Sequence, residues 1–304
     1  MLYTWWRDLI MKKIVILTLC FMAPIICYPQ QKYLINKSLV VDKIFKIEIG
    51  TVNLLAFLGN DGVLLSDCGY RSSSSQLDSL LLTLSSNPVR FVINTHWHYD
   101  HCGGNFFFNK NATIISHDDT RKILTQNYIS SFWEEEYNSF PDYALPDITF
   151  KDKMTLYFDD EEIELIHLGG GHSDGDIIVY FKKSKVIHVG DLLFSFGFPA
   201  IDFEHGGSVK RFSENLQEII KMVPNDVIII AGHGPDFNVE ELKKYRNMIL
   251  ETVAIIEGSI SQGLSLEEIK LKKVLKDYKK WEEGYFSCDD WIEIIYYSLQ
   301  YNNK

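Results

Sequence analysis

The sequence predicts an α/β fold with additional helices in its C-terminal part. Short apolar runs rich in β-branched residues, such as VRFVIN and DVIIIAG, have the length and composition of buried strands. Segments of helical period lie between those runs, and SSQLDSLLLTLSS and SVKRFSENLQEIIKMV are the clearest of them. Hydrophobic residues make up 46% of the 304 positions, so the chain has enough apolar side chains to bury a substantial core.

The first thirty residues, 1–30, are interpreted as a secretory signal peptide. MKKIVILTLCFMAPIIC, which starts at Met11, is a lysine pair followed by an apolar run. Pro24 interrupts this run, which falls short of the roughly 18 apolar residues that a membrane-spanning helix needs. Residues 1–10 place an acid and two tryptophans where a basic region should begin, so they are interpreted as an upstream extension. We expect a periplasmic or secreted protein without a stable membrane span.

The formal net charge of −11 argues against nucleic acid as a partner. Proteins that follow a phosphate backbone need clustered lysines and arginines, and the sequence has no such stripe. Without the signal peptide, the cysteines that remain are Cys68, Cys102 and Cys288, an odd number that does not fit a disulfide scaffold. A small molecule is the expected partner, and the sequence leaves the oligomeric state open.

The N-terminal half is expected to contain two strands, a helix and a further strand. IEIGTVNLLAFLGNDGVLLSDCG has two apolar stretches around Asn60-Asp61-Gly62, where glycine supplies the positive φ of a hairpin turn. A helix is predicted for SSQLDSLLLTLSS, and Pro88 closes that region. VRFVIN then follows as a buried strand.

The middle of the chain is expected to continue the alternation of strands and helices. MTLYFDDEEIELIHL and DIIVYFKKSKVIHV each contain two short strands. Ser208 is a suitable N-cap for the helix predicted in SVKRFSENLQEIIKMV. DVIIIAG is predicted as the last strand. Residues 31–238 are therefore expected to form one domain.

Residues 239–304 are expected to form a helical cover on that same domain. Ser265 with Glu268 makes a capping box, which predicts a helix start, and DDWIEIIYYSLQ predicts a further helix. The first helix of the tail is amphipathic, because apolar residues recur at spacings of three and four. Those residues are Leu242, Tyr245, Ile249, Val253, Ile256 and Ile260. An independent partner-binding module is the alternative interpretation of this tail.

Three histidines and an aspartate lie close together in THWHYDHCGGN, residues 95–105. Side chains two apart in an extended segment point the same way, so His96 and His98 can converge on one ion. Asp100 and His101 fall in a turn that the following glycines relax, where they can face a second point nearby. Imidazole and carboxylate suit zinc, and iron and manganese also accept such ligands. The motif therefore predicts a metal site.

Three further motifs with a histidine or an aspartate follow separate apolar runs. LGGGHSDGD contains His172, VIHVGDLLF contains Asp191, and IIIAGHGPD contains His233. Together with HxHxDH, this order resembles the metallo-β-lactamase superfamily, from about Ile44 to about Asn247. The resemblance implies a four-layer αββα sandwich, in which two mixed sheets pack face to face with helices outside and strand ends meet at the metals.

The resemblance also implies a binuclear site with two Zn²⁺ per chain, although iron or manganese stays open. A zinc-bound hydroxide would form near neutral pH, and Asp100 would be the catalytic residue that orients it. The expected reaction is hydrolysis of an ester, lactone, thioester or amide-type bond in a small molecule. The implied ligands are His96, His98 and His172 for one zinc, Asp100, His101 and His233 for the second, and Asp191 as the bridge.

Three alternatives stay open at this point. The first is a class B zinc β-lactamase, although the best-known members of that class carry cysteine or serine where this chain has Asp191. The second is a mononuclear iron oxygenase of the same fold that oxidises a sulfur substrate. His98 argues against it, because the iron–oxygen branch places an acid there. The third is a catalytically inactive binding module, against which the complete set of ligand types argues.

Two aromatic segments are candidates for the walls of the substrate site. YISSFWEEEYNSFPDYALP is predicted as a loop over the metals, with Phe132 and Trp133 as substrate-binding residues and Phe140 and Tyr143 beside them. FSFGFPAIDF, which follows shortly after Asp191, contributes Phe196 as a further substrate-binding residue. Ordinary packing is the alternative interpretation of both segments.

The remaining histidines are expected to be structural or to support the ligands. They are His117, His167, His188 and His205. Cys102 is interpreted as a small buried residue and not as a redox sensor. Arg71 and Lys110 lie near the expected mouth of the site, where they are interpreted as solvated surface charges and not as a clamp for a carboxylate.

Overall fold

A seven-stranded and a five-stranded sheet form the centre of the computed structural model, which describes residues 33–301. The strands of the larger sheet, in spatial order, are β1 (Ile35–Val41), β2 (Ile44–Ile49), β3 (Val52–Gly59), β4 (Gly62–Ser66), β5 (Val89–Ile93), β6 (Thr113–His117) and β9 (Ile148–Phe150). Neighbouring strands are antiparallel from β1 to β4 and parallel from β4 through β5 and β6 to β9. The larger sheet is therefore mixed, as predicted.

The smaller sheet is mixed as well. Its strands are β10 (Lys153–Phe158), β11 (Glu161–His167), β12 (Ile177–Phe181), β13 (Val186–His188) and β14 (Ile228–Ile230). The first four are antiparallel neighbours, and β14 pairs parallel to β13. A separate hairpin consists of β7 (Tyr128–Ser130) and β8 (Glu135–Tyr137).

The two sheets pack face to face, because the side chains of β3 alternate between two hydrophobic clusters. Leu55 and Phe57 lie in a cluster that they share with Phe181 of the smaller sheet. Leu54 points the opposite way, into a cluster that contains Leu77 of the first helix. Both faces of the larger sheet are therefore covered, one by the second sheet and the other by a helix.

The helices lie outside the two sheets. They are α1 (Ser74–Leu84), α2 (Tyr99–Cys102), α3 (Asn105–Phe108), α4 (Asp118–Leu124), α5 (Val209–Met222), α6 (Val239–Ser261), α7 (Leu266–Leu271) and α8 (Cys288–Tyr301). Ser208 caps α5 as predicted, because its side chain accepts a hydrogen bond from the backbone N–H of Arg211. With α1 on the larger sheet and α5 and α6 on the smaller one, the predicted αββα sandwich is confirmed.

The C-terminal helices pack on the outer face of the smaller sheet. Leu242 of α6 and Ile292 of α8 are fully buried in one cluster with Ile187 of β13. Trp291 of α8 stacks on Phe198, with ring centroids 5.5 Å apart. The predicted additional helices are thus present, and they share a hydrophobic core with the smaller sheet.

The predicted signal peptide, residues 1–30, and its upstream extension lie outside the described residues. Within residues 33–301, no helix is both long and apolar enough to cross a membrane.

The HxHxDH segment differs from its predicted conformation. Asp100 and His101 lie in the single helical turn α2, where the motif predicts an open turn. Gly103 and Gly104 have φ values of −60° and −67°, which any residue can adopt. Glycine is needed at position 104 for space, because a Cβ there would lie 2.3 Å from the carbonyl oxygen of Cys68. The two segments therefore touch backbone to backbone, which fixes α2 at the end of β4.

The sequence pattern misses four strands of the larger sheet: β1, β2, β6 and β9. It predicts one strand before the Asn60-Asp61-Gly62 turn, whereas Gly50, with φ of 64°, divides that stretch into β2 and β3. Most side chains of β1 are exposed, so its sequence lacks a clear alternation of apolar and polar residues. β9 has only three residues, which is too short for a periodic signal.

Candidate metal centre

The seven predicted ligands meet at one edge of the sandwich, beyond the ends of strands from both sheets. His96 and His98 follow β5, and Asp100 and His101 lie in α2 directly after them. The other three are His172 between β11 and β12, Asp191 in a 3-10 turn after β13, and His233 after β14. Residues that are far apart in the chain thus form one group because strands of the two sheets end at the same edge.

The first part of the group consists of three histidines around one carboxylate. His96, His98, His172 and Asp191 each offer a ligand atom, and these atoms all lie within 4.8 Å of one another. Asp191 Oδ2 is 3.7 Å from His96 Nε2 and 3.6 Å from His172 Nε2. His98 Nδ1 is 2.8 Å from His172 Nε2. The four ligand atoms are close enough together to contact a single cation.

The second part consists of Asp100, His101 and His233, whose ligand atoms also lie within 4.8 Å of one another. Asp100 Oδ2 is 3.6 Å from His101 Nε2 and 3.4 Å from His233 Nε2. The two Nε2 atoms are 3.4 Å apart. This part offers three ligand atoms to a second cation.

Asp191 lies between the two parts. Its Oδ1 is 3.1 Å from His101 Nε2, and its Oδ2 is 3.4 Å from His233 Nε2. The carboxylate is only 5% exposed, so the surrounding imidazoles and not water are its neighbours. Gly232 makes room for it, because a Cβ at that position would lie 2.1 Å from Asp191 Oδ1. One carboxylate therefore reaches both parts of the group.

Backbone carbonyls orient two of the histidines. His172 Nδ1 donates to the carbonyl oxygen of Ala200 at 2.9 Å, and His233 Nδ1 donates to that of Thr51 at 3.0 Å. Because a carbonyl oxygen only accepts hydrogen bonds, Nδ1 carries a proton in both rings. When such a ring is neutral, the lone pair of Nε2 faces the group, which is the tautomer that binds metals.

Carboxylates orient two other histidines of the group. His101 Nδ1 donates to Asp67 Oδ2 at 2.8 Å, and His98 Nε2 donates to Asp202 Oδ2 at 3.3 Å. Asp67 is fully buried and also accepts hydrogen bonds from Thr95 N and Thr95 Oγ1, at 2.7 and 2.8 Å. A carboxylate behind a ligating imidazole fixes its orientation and raises its basicity.

Sequence reasoning missed both supporting carboxylates. The signal available for Asp67 is its position in LLSDCG, an acid at the exit of a buried strand. Asp202 is the acid of FSFGFPAIDF, a segment whose most conspicuous residues are aromatic. His205 donates to Asp202 at 2.9 Å, so it supports His98 through that carboxylate.

The first part of the group fits a bound cation, because its inner nitrogens face one another. His98 Nε2 and His172 Nδ1 donate outward, to Asp202 and to the carbonyl of Ala200, so with both rings neutral the inner pair at 2.8 Å consists of two lone pairs that a cation can share. His96 Nε2 and Asp191 Oδ1 are buried and have no hydrogen-bond partner among the described residues. A buried acceptor without a partner costs about 1–3 kcal/mol. Imidazole nitrogens and carboxylate oxygens are ligands that zinc, iron and manganese accept.

The protonation states suit metal binding. Burial lowers the pKa of His96 and lowers that of His172 to about 4, so both rings are neutral at neutral pH. Burial opposes ionisation of Asp191, but the charges of His101 and His233 outweigh it and hold the pKa of the carboxyl well below its usual range. The same balance lowers the pKa of Asp100 to about 2. The carboxylates are therefore ionised, and His96 and His172 are free of a competing proton. Burial opposes protonation of the other two rings, but the charges of Asp191 and Asp100 outweigh it, raising the pKa of His101 and raising that of His233 to about 9, so a bound cation would replace the proton on each of these rings.

The other histidines lie outside this group of seven. His188 Nδ1 is hydrogen-bonded to Ser66 Oγ at 2.7 Å within the core. His117 and His167 stack on each other at the C-terminal ends of β6 and β11, with ring centroids 3.9 Å apart. Cys102 is buried, and its thiol donates to the carbonyl oxygen of Trp97. These placements agree with a structural role for all four side chains.

A cleft of about 500 Å³ opens over the group. Trp133 lies in its wall, whereas Phe132 packs on Phe203 with ring centroids 4.9 Å apart. Phe194 forms the wall where the sequence points to Phe196, because Phe194 forms a β-bridge to His233. The lining residues are Thr51, Tyr70, His98, Asp100, Trp133, Glu135, Tyr137, His172, Asp191, Phe194, Ala200, His233, Tyr285 and Phe286.

Two lining residues come from the C-terminal tail, where the sequence predicts only a helical cover. Tyr285 donates to Thr51 Oγ1 at 2.6 Å, and its ring lies 5.8 Å from that of His233. Phe286 packs on Trp133 with ring centroids 5.6 Å apart. No sequence signal identifies either residue, because nothing in a helical tail shows which part of it reaches a distant strand end.

The sequence and the fold both match known proteins. The profile of the family described as the metallo-beta-lactamase superfamily matches residues 48–233, which is more than half of the chain. The hydroxyacylglutathione hydrolase of Pelagibacter ubique (strain HTCC1062) is 29% identical over 147 residues, which is 48% of this chain and 52% of that protein. This chain therefore spans about half the length of that relative.

A second relative is matched over most of its length. The probable metallo-hydrolase YqgX of Bacillus subtilis (strain 168) is 23% identical over 64% of this chain and 91% of that protein. Among solved structures, a metallo-beta-lactamase from Pontibacter korlensis superposes with a TM-score of 0.60 at 19% identity, over 71% of this chain and 99% of that one. The superposition shows a shared fold.

Proposed function

Because the chain belongs to the metallo-β-lactamase superfamily, we propose that it is a metal-dependent hydrolase of small molecules that contain an ester, lactone, thioester or amide-type bond. The observation that carries this proposal is the position of Asp191, whose two oxygens lie within 3.7 Å of histidine nitrogens from both parts of the group. One carboxylate between two sets of ligands can contact two neighbouring dications and offset their repulsion.

The ligand assignment follows from the two groups of side chains. In this proposal one Zn²⁺ is held by His96, His98 and His172, and the second by Asp100, His101 and His233. Asp191 would contact both and would offset the repulsion between them. When bound, zinc supplies a Lewis acid that lets water deprotonate near neutral pH and that polarises a carbonyl oxygen.

Asp100 is the residue to which we assign the orientation of the attacking water. It lines the cleft, it is 23% exposed at its side chain, and its lowered pKa keeps it ionised at neutral pH. An ionised carboxylate only accepts hydrogen bonds, so it can hold a water proton and direct the oxygen toward the substrate. The hydrogen bonds of Asp67 and Asp202 hold His101 and His98 in fixed orientations during this step.

A zinc β-lactamase and a mononuclear iron oxygenase would fit the same fold. Metal content and a panel of substrates distinguish these functions from the proposed one. We would measure the metal content of the purified protein and its turnover of lactones, thioesters, aryl esters, β-lactams and phosphodiesters. The proposal expects two zinc ions per chain and turnover of at least one ester, lactone or thioester. Turnover confined to β-lactams would support a zinc β-lactamase, and a single tightly bound iron would support the oxygenase. Metal-loaded protein that turns over none of the substrates would refute the proposal.

Asp100→Asn is the variant that ties turnover to this cleft. Asp61→Asn is its matched control, because Asp61 lies in the exposed turn between β3 and β4, far from the lining residues. Turnover lost in the first variant and kept in the second locates the reaction at the seven residues.

A further inference from the structure

Among the described residues, the carboxylates that line the cleft are not balanced by a lysine or arginine in its lining. Its lining side chains, as far as residues 33–301 describe them, include Asp100, Asp191 and Glu135 but no lysine or arginine. Asp100 and Asp191 face the candidate metal positions, where bound cations would neutralise them. Glu135 does not belong to the group of seven, so its negative charge remains available to a substrate.

Aromatic rings form one continuous wall of the cleft. Trp133 and Phe286 pack with ring centroids 5.6 Å apart, and Tyr285 follows at 6.3 Å from Phe286. Phe194 continues the wall to the ligands, with its ring 6.4 Å from Tyr285 and stacked on His233 at 5.0 Å. A flat or apolar group of a substrate can therefore lie on this wall while its reacting bond lies at the metals.

Glu135 lines the same cleft from the start of β8, two residues after Trp133. Side chains alternate along β8, so Glu135 and Tyr137 line the cleft while Glu136 between them does not. The Tyr137 hydroxyl donates a hydrogen bond to the Glu135 carboxylate, which orients it. The cleft thus has a positioned carboxylate near its aromatic side.

A smaller pocket of about 220 Å³ adjoins the cleft and shares Trp133 and Phe286 with it. Among the described residues, its charged lining side chains are Asp290 and Glu293. Glu293 forms an ion pair with Lys270, so the negative charge beyond the cleft comes from Asp290, which accepts hydrogen bonds from Ser287.

We propose that Trp133, Phe286 and Glu135 form a subsite for a positively charged apolar group of the substrate, such as an alkylammonium. Aromatic faces attract a cation through the ring quadrupole, and this attraction is strongest for tryptophan. The carboxylate adds a Coulombic preference for a cation over an anion. The end of the cleft that holds the reacting bond is marked by Asp100, Asp191 and His233, which line the cleft and belong to the ligand group. This inference rests on the proposed hydrolase activity and specifies its substrate class.

The test uses three 4-nitrophenyl phenylacetates that differ only in the para group of the acyl ring. The groups are trimethylammonium, tert-butyl and sulfonate, of which the first two have the same shape. With the zinc-loaded protein, kcat/KM should fall in that order, by about tenfold from the cation to the anion, because a cation–π contact and one nearby carboxylate act together. Glu135→Gln should reduce the cation-to-anion ratio by about three- to fivefold. Glu136→Gln should leave that ratio unchanged.

A binding measurement examines the subsite without turnover. Phenyltrimethylammonium should bind the zinc-loaded protein in calorimetry and should bind Trp133→Ala at least about threefold more weakly, because the main ring is lost. Trp133→Phe keeps an aromatic face and should recover much of the binding. Circular dichroism of each variant verifies that it is folded.

The two proposals fail in different ways. Ester turnover in which the sulfonate matches or exceeds the trimethylammonium substrate would overturn the subsite and leave the hydrolase intact. Absence of turnover together with Trp133-dependent binding of phenyltrimethylammonium would overturn the hydrolase and leave the subsite intact. A cation preference that Glu136→Gln changes as much as Glu135→Gln would also overturn the subsite, because the effect would then come from the general charge of the surface.

Discussion

The hydrogen bond between Asp67 and His101 should control the second metal position. Asp67→Asn replaces the carboxylate by an amide of nearly the same shape. Asp67 has φ of 63°, and asparagine tolerates this left-handed conformation better than most residues, so the backbone is retained. The amide carbonyl oxygen can still accept one of the two Thr95 hydrogen bonds, at the 2.7 Å position of Thr95 N.

The amide nitrogen then faces either His101 Nδ1 or Thr95 Oγ1, which both donate to Asp67 Oδ2 at 2.8 Å in the present structure. An N–H group beside Nδ1 favours the other tautomer, in which the proton lies on Nε2 and points at the metal position. Loss of such a partner typically costs a metal site about 10- to 100-fold in affinity. This corresponds to about 1.4–2.7 kcal/mol of binding free energy. Only the position that His101 shares with Asp100 and His233 should be affected.

Competition with a chromophoric zinc chelator measures the two affinities separately. We expect Asp67→Asn to weaken one zinc by the stated factor and to leave the other near its wild-type value. Asp147→Asn is the control, because Asp147 also accepts a backbone hydrogen bond, from Ile114 N at 2.9 Å, but lies away from the seven residues. Two zinc ions bound as tightly as in the wild type by a folded Asp67→Asn protein would refute the reasoning.

Four further predictions concern the bridge, the water, a core histidine and the N-terminal segment. Asp191→Ala should bind fewer than two zinc ions per chain while the fold survives, as elemental analysis of dialysed protein with circular dichroism would show; two tightly held metals would remove Asp191 as the bridge. Asp100→Asn should lower turnover by at least about 100-fold, the usual effect of a lost orienting or general-base group, and near-wild-type kinetics would remove it from the mechanism. Burial lowers the pKa of His188 to about 4, so the unfolded chain takes up a proton near pH 6.5 that the folded protein does not. The free energy of unfolding should therefore decline below pH 6.5. Between pH 7 and pH 5, this free energy, measured by urea unfolding, should fall by about 2 kcal/mol less in His188→Asn than in the wild type; equal falls in the two proteins would contradict this. If residues 1–30 are a signal peptide, the exported protein should begin between about residues 24 and 33 by intact mass, and a chain that retains Met1 or Met11 would exclude cleavage.

Much of the fold was predictable because strongly apolar or strongly periodic segments carry local information. The helices α1, α5 and α6 and the strands β3, β5 and β10 to β13 have patterns that fit one secondary structure only. The exposed edge strand β1 and the short strand β9 lack such patterns, because they are stabilised by pairing with a neighbour and not by their own composition.

The residues of the candidate metal centre were recognisable for the same reason. His96, His98, Asp100 and His101 lie within six positions of one another, and the other three follow apolar runs that end at a sheet edge. Their local context is unusual, because ionisable side chains directly after a buried strand are costly unless they bind something. The structure brings all seven together, in two groups whose ligand atoms each lie within 4.8 Å of one another.

The sequence by itself thus determined most strands and helices and the chemical types of the ligands, since both depend on short-range patterns, whereas the layers of the sandwich were implied by the resemblance to a known family. Only the tertiary structure decided which residues support and surround the ligands. Asp67 faces His101 because β4 and β5 are neighbours, and Tyr285 reaches the cleft because the C-terminal helices pack on the smaller sheet. Contacts of this kind join positions far apart in the chain, and their partners are set by how the sheets and helices pack together, which no local pattern of residues records.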